Sequence, residues 1–384
     1  MKRDVVLLAL GAFVSGVSMR VAEPLLPRLA TEFATGVTDV SAVITGFALA
    51  YGLFQFVHGP LGDRYGRLRV AVGGCLLAAV GSAACAAAQT VAELTAFRVV
   101  VGMAGGGIVA LGLAYIGDTV PLGERQATIG RFIAGSLLGQ ALGPFVGGAF
   151  SDLAGWRASF VAIAACYAAV GLVLLPSAMR APAPGVPIGN PLARYAGLLA
   201  RPQVRLVMAV EFFEALFFFG AFAYLGAFFK LRFALSDVLV GALLAGFGAG
   251  GLAYSATVGA LTHRLTQPQL VRRGGLVMLA CLGMVALAPD WRVAAPCMLV
   301  LGYGFYMLHN TAQVRSTEMA PDARGTGIAL AVMGWFLGQA AGVASMGVVI
   351  ELAGYVPMLA LCAGGLVALS FWFARRLAPA VPRA

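Results

Sequence analysis

LGQALGPFVGG, residues 138–148, holds four glycines and one proline in eleven positions, and its first six residues have an echo, LGQAAG at 337–342, 199 residues further on. The spacing returns elsewhere. Gly102, Asp118 and Pro121 recur as Gly302, Glu318 and Pro321, and Gly59, Leu61 and Arg64 recur as Gly259, Leu261 and Arg264, both at an offset of 200. A single short match carries little weight, but three matches in the same order at nearly one offset mark an internal duplication. The chain reads as two related halves, 1–178 and 204–384, joined by a linker at 179–203.

Both copies lie in apolar sequence. Of 384 residues, 60% are hydrophobic and 11% are charged, a balance that excludes a water-soluble globule and places the chain in a bilayer. Charges punctuate apolar stretches of about 20 residues, the length at which a helix crosses roughly 30 Å of hydrocarbon. Twelve spans are predicted, at about 5–29, 39–60, 69–89, 92–117, 124–150, 156–178, 204–229, 238–261, 272–290, 292–315, 324–350 and 354–374. The alternating ten-residue segments of a membrane-spanning barrel are absent. The expected fold class is an all-α membrane protein, with twelve transmembrane helices in two pseudo-symmetric six-helix bundles.

The net charge of +10 is a statement about topology. With the N-terminus inside, 19 of the 26 Lys and Arg fall on the inner side or at inner helix ends. Arg28, Arg157, Lys230, Arg232 and Arg292 fall outside. This bias obeys the positive-inside rule for a multi-pass protein of the bacterial inner membrane with both termini cytoplasmic. A nucleic-acid-binding protein would gather these charges on one surface, and here they are spread over six loops and two tails. The opening MKRDVVLLALGAF resembles a signal peptide but precedes eleven further spans, and is read as the first of them. In the linker, the proline spacing predicts an extended first part and a short interfacial helix from Pro191 to Ala200. The six cysteines form no CxxC pair and are read as buried small hydrophobes, with no metal assigned.

Three motifs carry a family resemblance. GPLGDRYGRLRV, 59–70, is similar to the loop 2–3 signature of the major facilitator superfamily, matching at Gly59, Leu61, Asp63, Arg64, Gly66 and Arg67. FRVVVGMAGG resembles its helix 4 signature at Arg98 and Gly102. GQALGPFVGG resembles its helix 5 antiporter signature at Gly139, Gly143, Pro144, Gly147 and Gly148. The resemblance implies two bundles that rock about a substrate near mid-membrane. It implies that the 59–70 segment is a cytoplasmic gate, in which Asp63 meets the start of helix 11 and Arg67 pairs with Asp118, while Gly62 and its neighbouring glycines permit a tight turn and close helix approach. The helix 5 motif marks the twelve-span drug:proton antiporters and so implies export. In the second half the gate is degenerate, with His263 where an acid would match.

Charges at membrane depth cost at least about 2.5 kcal/mol, so each needs a partner or a wet cavity. Glu23 in span 1 and Arg98 in span 4 lie roughly 10 Å from the outer ends of their helices, with Arg20 one turn deeper than Glu23. The three are expected to form one cluster, with Glu23 as a proton carrier between two arginines. In span 7, Glu211 and Glu214 share a face at roughly 10 and 15 Å from the inner end, and span 10 brings His309 and Asn310 to similar depth. Glu214 is favoured for proton or cation binding. Phe212, Phe213, Phe217, Phe218 and Phe219 are read mainly as lipid-facing or packing residues, with an aromatic wall for an apolar substrate as the alternative, and Tyr51, Gln55 and Gln313 as weaker cavity candidates.

The functional expectation is a secondary active transporter exporting a drug-like or amphipathic compound in exchange for protons. Its partners are a small-molecule substrate, protons and the lipid bilayer, and it acts as a monomer without a cofactor. Proton-linked uptake of a metabolite or organic anion held by Arg20 and Arg98, and a lipid or glycolipid flippase, remain alternatives on the same fold. No GxxxxGK[ST] segment is present to use ATP, and neither HExxH nor Gly-x-Ser-x-Gly is present to support an intramembrane enzyme.

Overall fold

The computed structural model describes residues 3–181 and 191–377. The first helices are α1 (Arg3–Arg20), α2 (Leu26–Glu32), α3 (Val37–Val40), α4 (Ala42–Leu53), α5 (Gln55–Tyr65), α6 (Arg67–Ala87), α7 (Val91–Thr119), α8 (Leu122–Ala154) and α9 (Trp156–Arg180). They are followed by α10 (Pro191–Leu199), α11 (Pro202–Phe233), α12 (Asp237–Arg264), α13 (Gln267–Leu287), α14 (Trp291–Glu318), α15 (Arg324–Ala353) and α16 (Tyr355–Arg376). Among the described residues, eleven helical stretches are long and apolar enough to cross a membrane. A twelfth is the pair Val37–Leu53 and Gln55–Tyr65, bent by 46°. Part of the expected extended linker, 182–190, lies outside the described residues, and its second part is the helix α10.

The chain divides into two compact units, Met1–Arg194 with Ser236–Gly241, and Tyr195–Leu235 with Ala242–Ala384. Within the first unit, α1 and α8 approach until side chains no longer fit between them. A Cβ on Gly135 would lie 3.2 Å from the Ala9 carbonyl oxygen, and one on Gly143 would lie 2.9 Å from that of Val17. At Gly139 and Gly147 it would overlap the carbonyls of Phe13 and Val21. The second unit repeats the ladder between α11 and α15. Gly334 faces Met208, Gly338 faces Phe212 and Gly342 faces Leu216, each rung 199 residues from its counterpart. The fourth rung is reversed: where Gly147 admits Val21, Gly220 admits Met346.

The same exchange occurs elsewhere. Gly102 admits the Phe47 carbonyl between α4 and α7, as Gly302 admits that of Phe247 between α12 and α14. One turn on, Tyr51 opposes Gly106 in the first unit, whereas Gly251 opposes Tyr306 in the second. Small residues at such crossings let backbones pack by van der Waals contact, the main adhesive between helices in lipid.

Local signals set several helix ends. Thr90 accepts a hydrogen bond from the Glu93 amide at the start of α7, and Asp290 caps the Arg292 amide at the start of α14. Arg69 donates to the carbonyls of Ala178 and Ala181 at 3.0 and 2.6 Å, which fastens α6 to the C-terminal end of α9. In the second unit Arg201 forks onto Asp322 at 2.6 and 2.7 Å. Its hydrogen bonds lower the Asp322 carboxyl to about 2. Any stabilisation from this exposed contact is present above the ordinary carboxylate range and is lost as pH falls through about 2. Of the six cysteines, all free, five are buried as expected, but Cys166 on α9 is exposed.

Candidate functional site

The segment read as a gate loop is mostly helix. α5 runs through Gly59, Gly62, Asp63 and Arg64, and the turn is made at Gly66 alone, whose φ of 96° suits glycine. A Cβ on Gly59 would meet open space, whereas one on Gly62 would press on Leu111 of α7. Arg67 then opens α6, 2.7 Å from Asp118, 2.6 Å from the Ala114 carbonyl and 3.7 Å from Asp63. Arg64 lies over the Tyr65 ring. Pro144 sits inside α8, which runs on past it to Ala154.

The first span departs from the continuous helix expected. α1 ends at Arg20, a single 3₁₀ turn covers Glu23–Leu25, and α2 resumes at Leu26. Pro24 and Pro27 explain the break, because neither ring can donate an amide hydrogen bond and each crowds the turn before it. Glu23 therefore stands at an interruption of the membrane helix. Arg20 donates to its Oε1 at 2.8 Å, and both side chains are buried. Glu23 Oε2 has no hydrogen-bond partner.

Arg98 comes within electrostatic range of Glu23 but, among the described residues, forms no direct ion pair with it. Its Nη1 donates to the Ser18 carbonyl at 2.9 Å, and its guanidinium lies 4.1 Å over the Phe47 ring instead of pairing with Glu23. Fully buried, it keeps Nε and Nη2 without partners. The ring face attracts the cation and gives it a partner besides the carboxylate. Tyr51 is buried, and Gln55 donates to the Gly106 carbonyl at 2.9 Å, so that its amide is occupied in joining α5 to α7.

In the second unit the predicted side chains do meet. Glu211 and Glu214 on α11 and His309 on α14 are all buried. His309 Nδ1 lies 3.2 Å from Glu214 Oε2 and 3.9 Å from Glu211 Oε2. Its Nε2 lies 2.8 Å from the amide nitrogen of Gln313. Trp335 and Phe305 flank the imidazole, with ring centroids 4.2 and 5.1 Å away. Phe218 and Phe219 are buried in the aromatic cluster that continues from them, whereas Phe213 is exposed. Asn310 turns elsewhere, toward the Tyr254 hydroxyl at 3.5 Å.

A polar knot at the start of α12 was not anticipated. Within the first unit, Ser151 donates to Asp237 at 2.6 Å, Arg28 lies 3.8 Å from the same carboxylate, and Asp152 accepts from the Val238 amide at 2.7 Å. Its sequence signal was modest: an acid in the first turn of a helix, where the dipole favours negative charge.

The family model of the Major Facilitator Superfamily matches residues 8–343 of the chain. YceJ, an uncharacterised MFS-type transporter of Bacillus subtilis, is 26% identical over 349 residues, covering 87% of this chain and 86% of its own length. JefA, a drug efflux pump of Mycobacterium tuberculosis, is 31% identical over 153 residues, 40% of this chain and 30% of the pump. A crystal structure of a bacterial homologue of the human lysosomal transporter Spinster, inward-facing and occupied, aligns with a TM-score of 0.77 at 17% identity, covering 97% of this chain and 96% of that one.

Proposed function

Because the chain belongs to the Major Facilitator Superfamily, we propose that it is a bacterial inner-membrane exporter that moves a drug-like or amphipathic compound against protons by alternating access. The observation that carries this reading is Glu23: a buried carboxylate at a break in a membrane helix, with one oxygen on Arg20 and the other without a partner. Interrupted helices are where transporters place ion and substrate sites. Protonation of Glu23 weakens its hold on Arg20, and loss of the proton restores it. The charged groups in electrostatic range of Glu23 are Arg20 on its own span and Arg98 on α7. Motif likeness on α8 and relatives named as efflux pumps support the outward direction.

Proteoliposomes carrying the purified protein and a fluorescent lipophilic cation, with pH gradients imposed in each direction, test the proposal. Export predicts dye moving opposite to protons; dye accumulating in the same direction as protons overturns it. The unpartnered Nε and Nη2 of Arg98 favour a second reading, uptake of an organic anion. In that case a carboxylate substrate, and not the cation, follows the proton gradient.

The contacts of Arg67 give a further expectation. Arg67→Lys keeps the charge but loses the planar fork that reaches Asp118 and the Ala114 carbonyl together. A half-exposed pair of this kind is worth up to about 1 kcal/mol, so turnover falls about five-fold while equilibrium substrate affinity, read by dye binding, stays constant. Unchanged turnover removes Arg67 from the conformational step.

A further inference from the structure

Glu211, Glu214 and His309 place two carboxylates and one imidazole together inside the second unit, and each offers one ligand atom within 4.8 Å of the others. Among the described residues, the sole ion-pair partner of either carboxylate is His309. Two buried carboxylates face one imidazole, so the cluster reaches neutrality only by holding protons or a cation. Glu214 Oε1 is buried and without a hydrogen-bond partner, a lone pair left over after the contact with His309. From these observations we infer that the cluster is a binding site for a divalent first-row transition-metal ion, although no metal was expected from the sequence.

Geometry and donor chemistry agree. Around a tetrahedral ion with bonds of about 2.1 Å, ligand atoms stand roughly 3.4 Å apart. Nδ1 and the Glu214 oxygen are already 3.2 Å apart, the Glu211 oxygen is 3.9 Å from Nδ1, and all three atoms lie within 4.8 Å of one another, so closing on an ion asks the carboxylate oxygens to draw together by at most about 1.4 Å. Two oxygens and one imidazole nitrogen suit zinc, cobalt or manganese. Calcium takes six to eight oxygens, and magnesium keeps a near-octahedral shell of water, so the set fits neither well. The contacts that would orient the imidazole are in place. Trp335 and Phe305 hold the ring plane, and Gln313 stands at Nε2, where its amide oxygen, once turned, accepts the Nε2 proton and leaves Nδ1 free to coordinate. A dication also cancels the charge of both carboxylates. The site lies in the unit that does not contain Glu23, and binding is measured without transport, so its outcome is independent of the coupling role given to Glu23.

The probe is Co²⁺, added to detergent-purified full-length protein after chelator treatment, with Zn²⁺ titrated by calorimetry on the same sample. The expected result is one equivalent bound, with a visible band of tetrahedral nitrogen–oxygen coordination that Zn²⁺ removes. Glu214→Gln and His309→Gln each weaken binding by at least 100-fold, and Gln313→Ala weakens it by about 10- to 100-fold. His263→Ala and Cys166→Ala leave it unchanged, removing the exposed imidazole and the exposed thiol as sources. A wild-type spectrum with no tetrahedral band, or with the intense near-ultraviolet charge transfer of thiolate ligands, overturns the assignment by itself. So does binding that survives unweakened in either ligand variant. Should the ligand variants fail to fold, the wild-type spectrum together with Gln313→Ala decides.

Discussion

Glu23→Gln abolishes proton-driven transport while leaving the protein in the membrane and able to exchange substrate for substrate. Glutamine matches the carboxylate in shape and still offers Arg20 an oxygen, so the break in the first span and the Arg20 contact at 2.8 Å persist. It has no proton to exchange. One pH unit represents about 1.4 kcal/mol per proton, so a gradient of two units drives about 100-fold accumulation through one-to-one exchange. In the variant the ratio falls to about 1, and substrate counterflow proceeds at a rate independent of pH. Both are read from the same proteoliposomes. Gradient-driven accumulation that survives in Glu23→Gln assigns coupling elsewhere; loss of counterflow together with coupling shows that the residue has a packing role instead.

The second large effect concerns the glycine ladders. Gly139→Val and Gly338→Val each drive a side chain into a backbone carbonyl, of Phe13 and Phe212 respectively, where no rotamer gives relief. Overpacking of this kind costs typically 1–3 kcal/mol, and with a rigid backbone as the obstacle about 3 kcal/mol is expected at each site. Because the two rungs are counterparts, the costs are expected to be alike. Gly283→Ala is the contrast: its Cβ meets nothing within 4 Å, and alanine favours a helix over glycine by about 0.8–1.0 kcal/mol. Thermal denaturation in detergent should show the two valine variants strongly destabilised and Gly283→Ala equal to wild type or slightly above it. Tolerance of valine at Gly139 would mean that α1 and α8 do not approach as described.

The duplication was legible because close helix packing constrains glycine directly. LGQALG and LGQAAG match since Gly139, Gly143, Gly338 and Gly342 all sit against carbonyls. Where the obstacle can move to the partner helix of a crossing, the match vanishes from the sequence although the packing is kept, as at Val21 with Gly147 against Gly220 with Met346. The meeting of Glu211, Glu214 and His309 was legible from helical spacing and depth, because both are fixed by the 1.5 Å rise. The placing of Arg98 near Glu23 was legible from depth, but its seat over the Phe47 ring was not, because depth says nothing of where a long side chain points. The break at Glu23 was signalled by Pro24 and Pro27, and the length of the apolar run concealed it.

The repeat also stops short of the chemistry. At the 199-residue offset Arg20 and Glu23 correspond to Phe219 and Phe222, while Glu211 and Glu214 correspond to Ala12 and Ser15. The scaffold is used twice; the charges are placed once each.

The ladders bear on how a greasy cargo dissolved in the bilayer could enter from the side. Between α1 and α8, and again between α11 and α15, the main chains leave no gap as wide as a methyl group over three successive turns. An acyl tail or a fused aromatic ring is several times thicker than that. Those two seams are closed to sideways diffusion, and any lateral doorway must open along a different pair of helices.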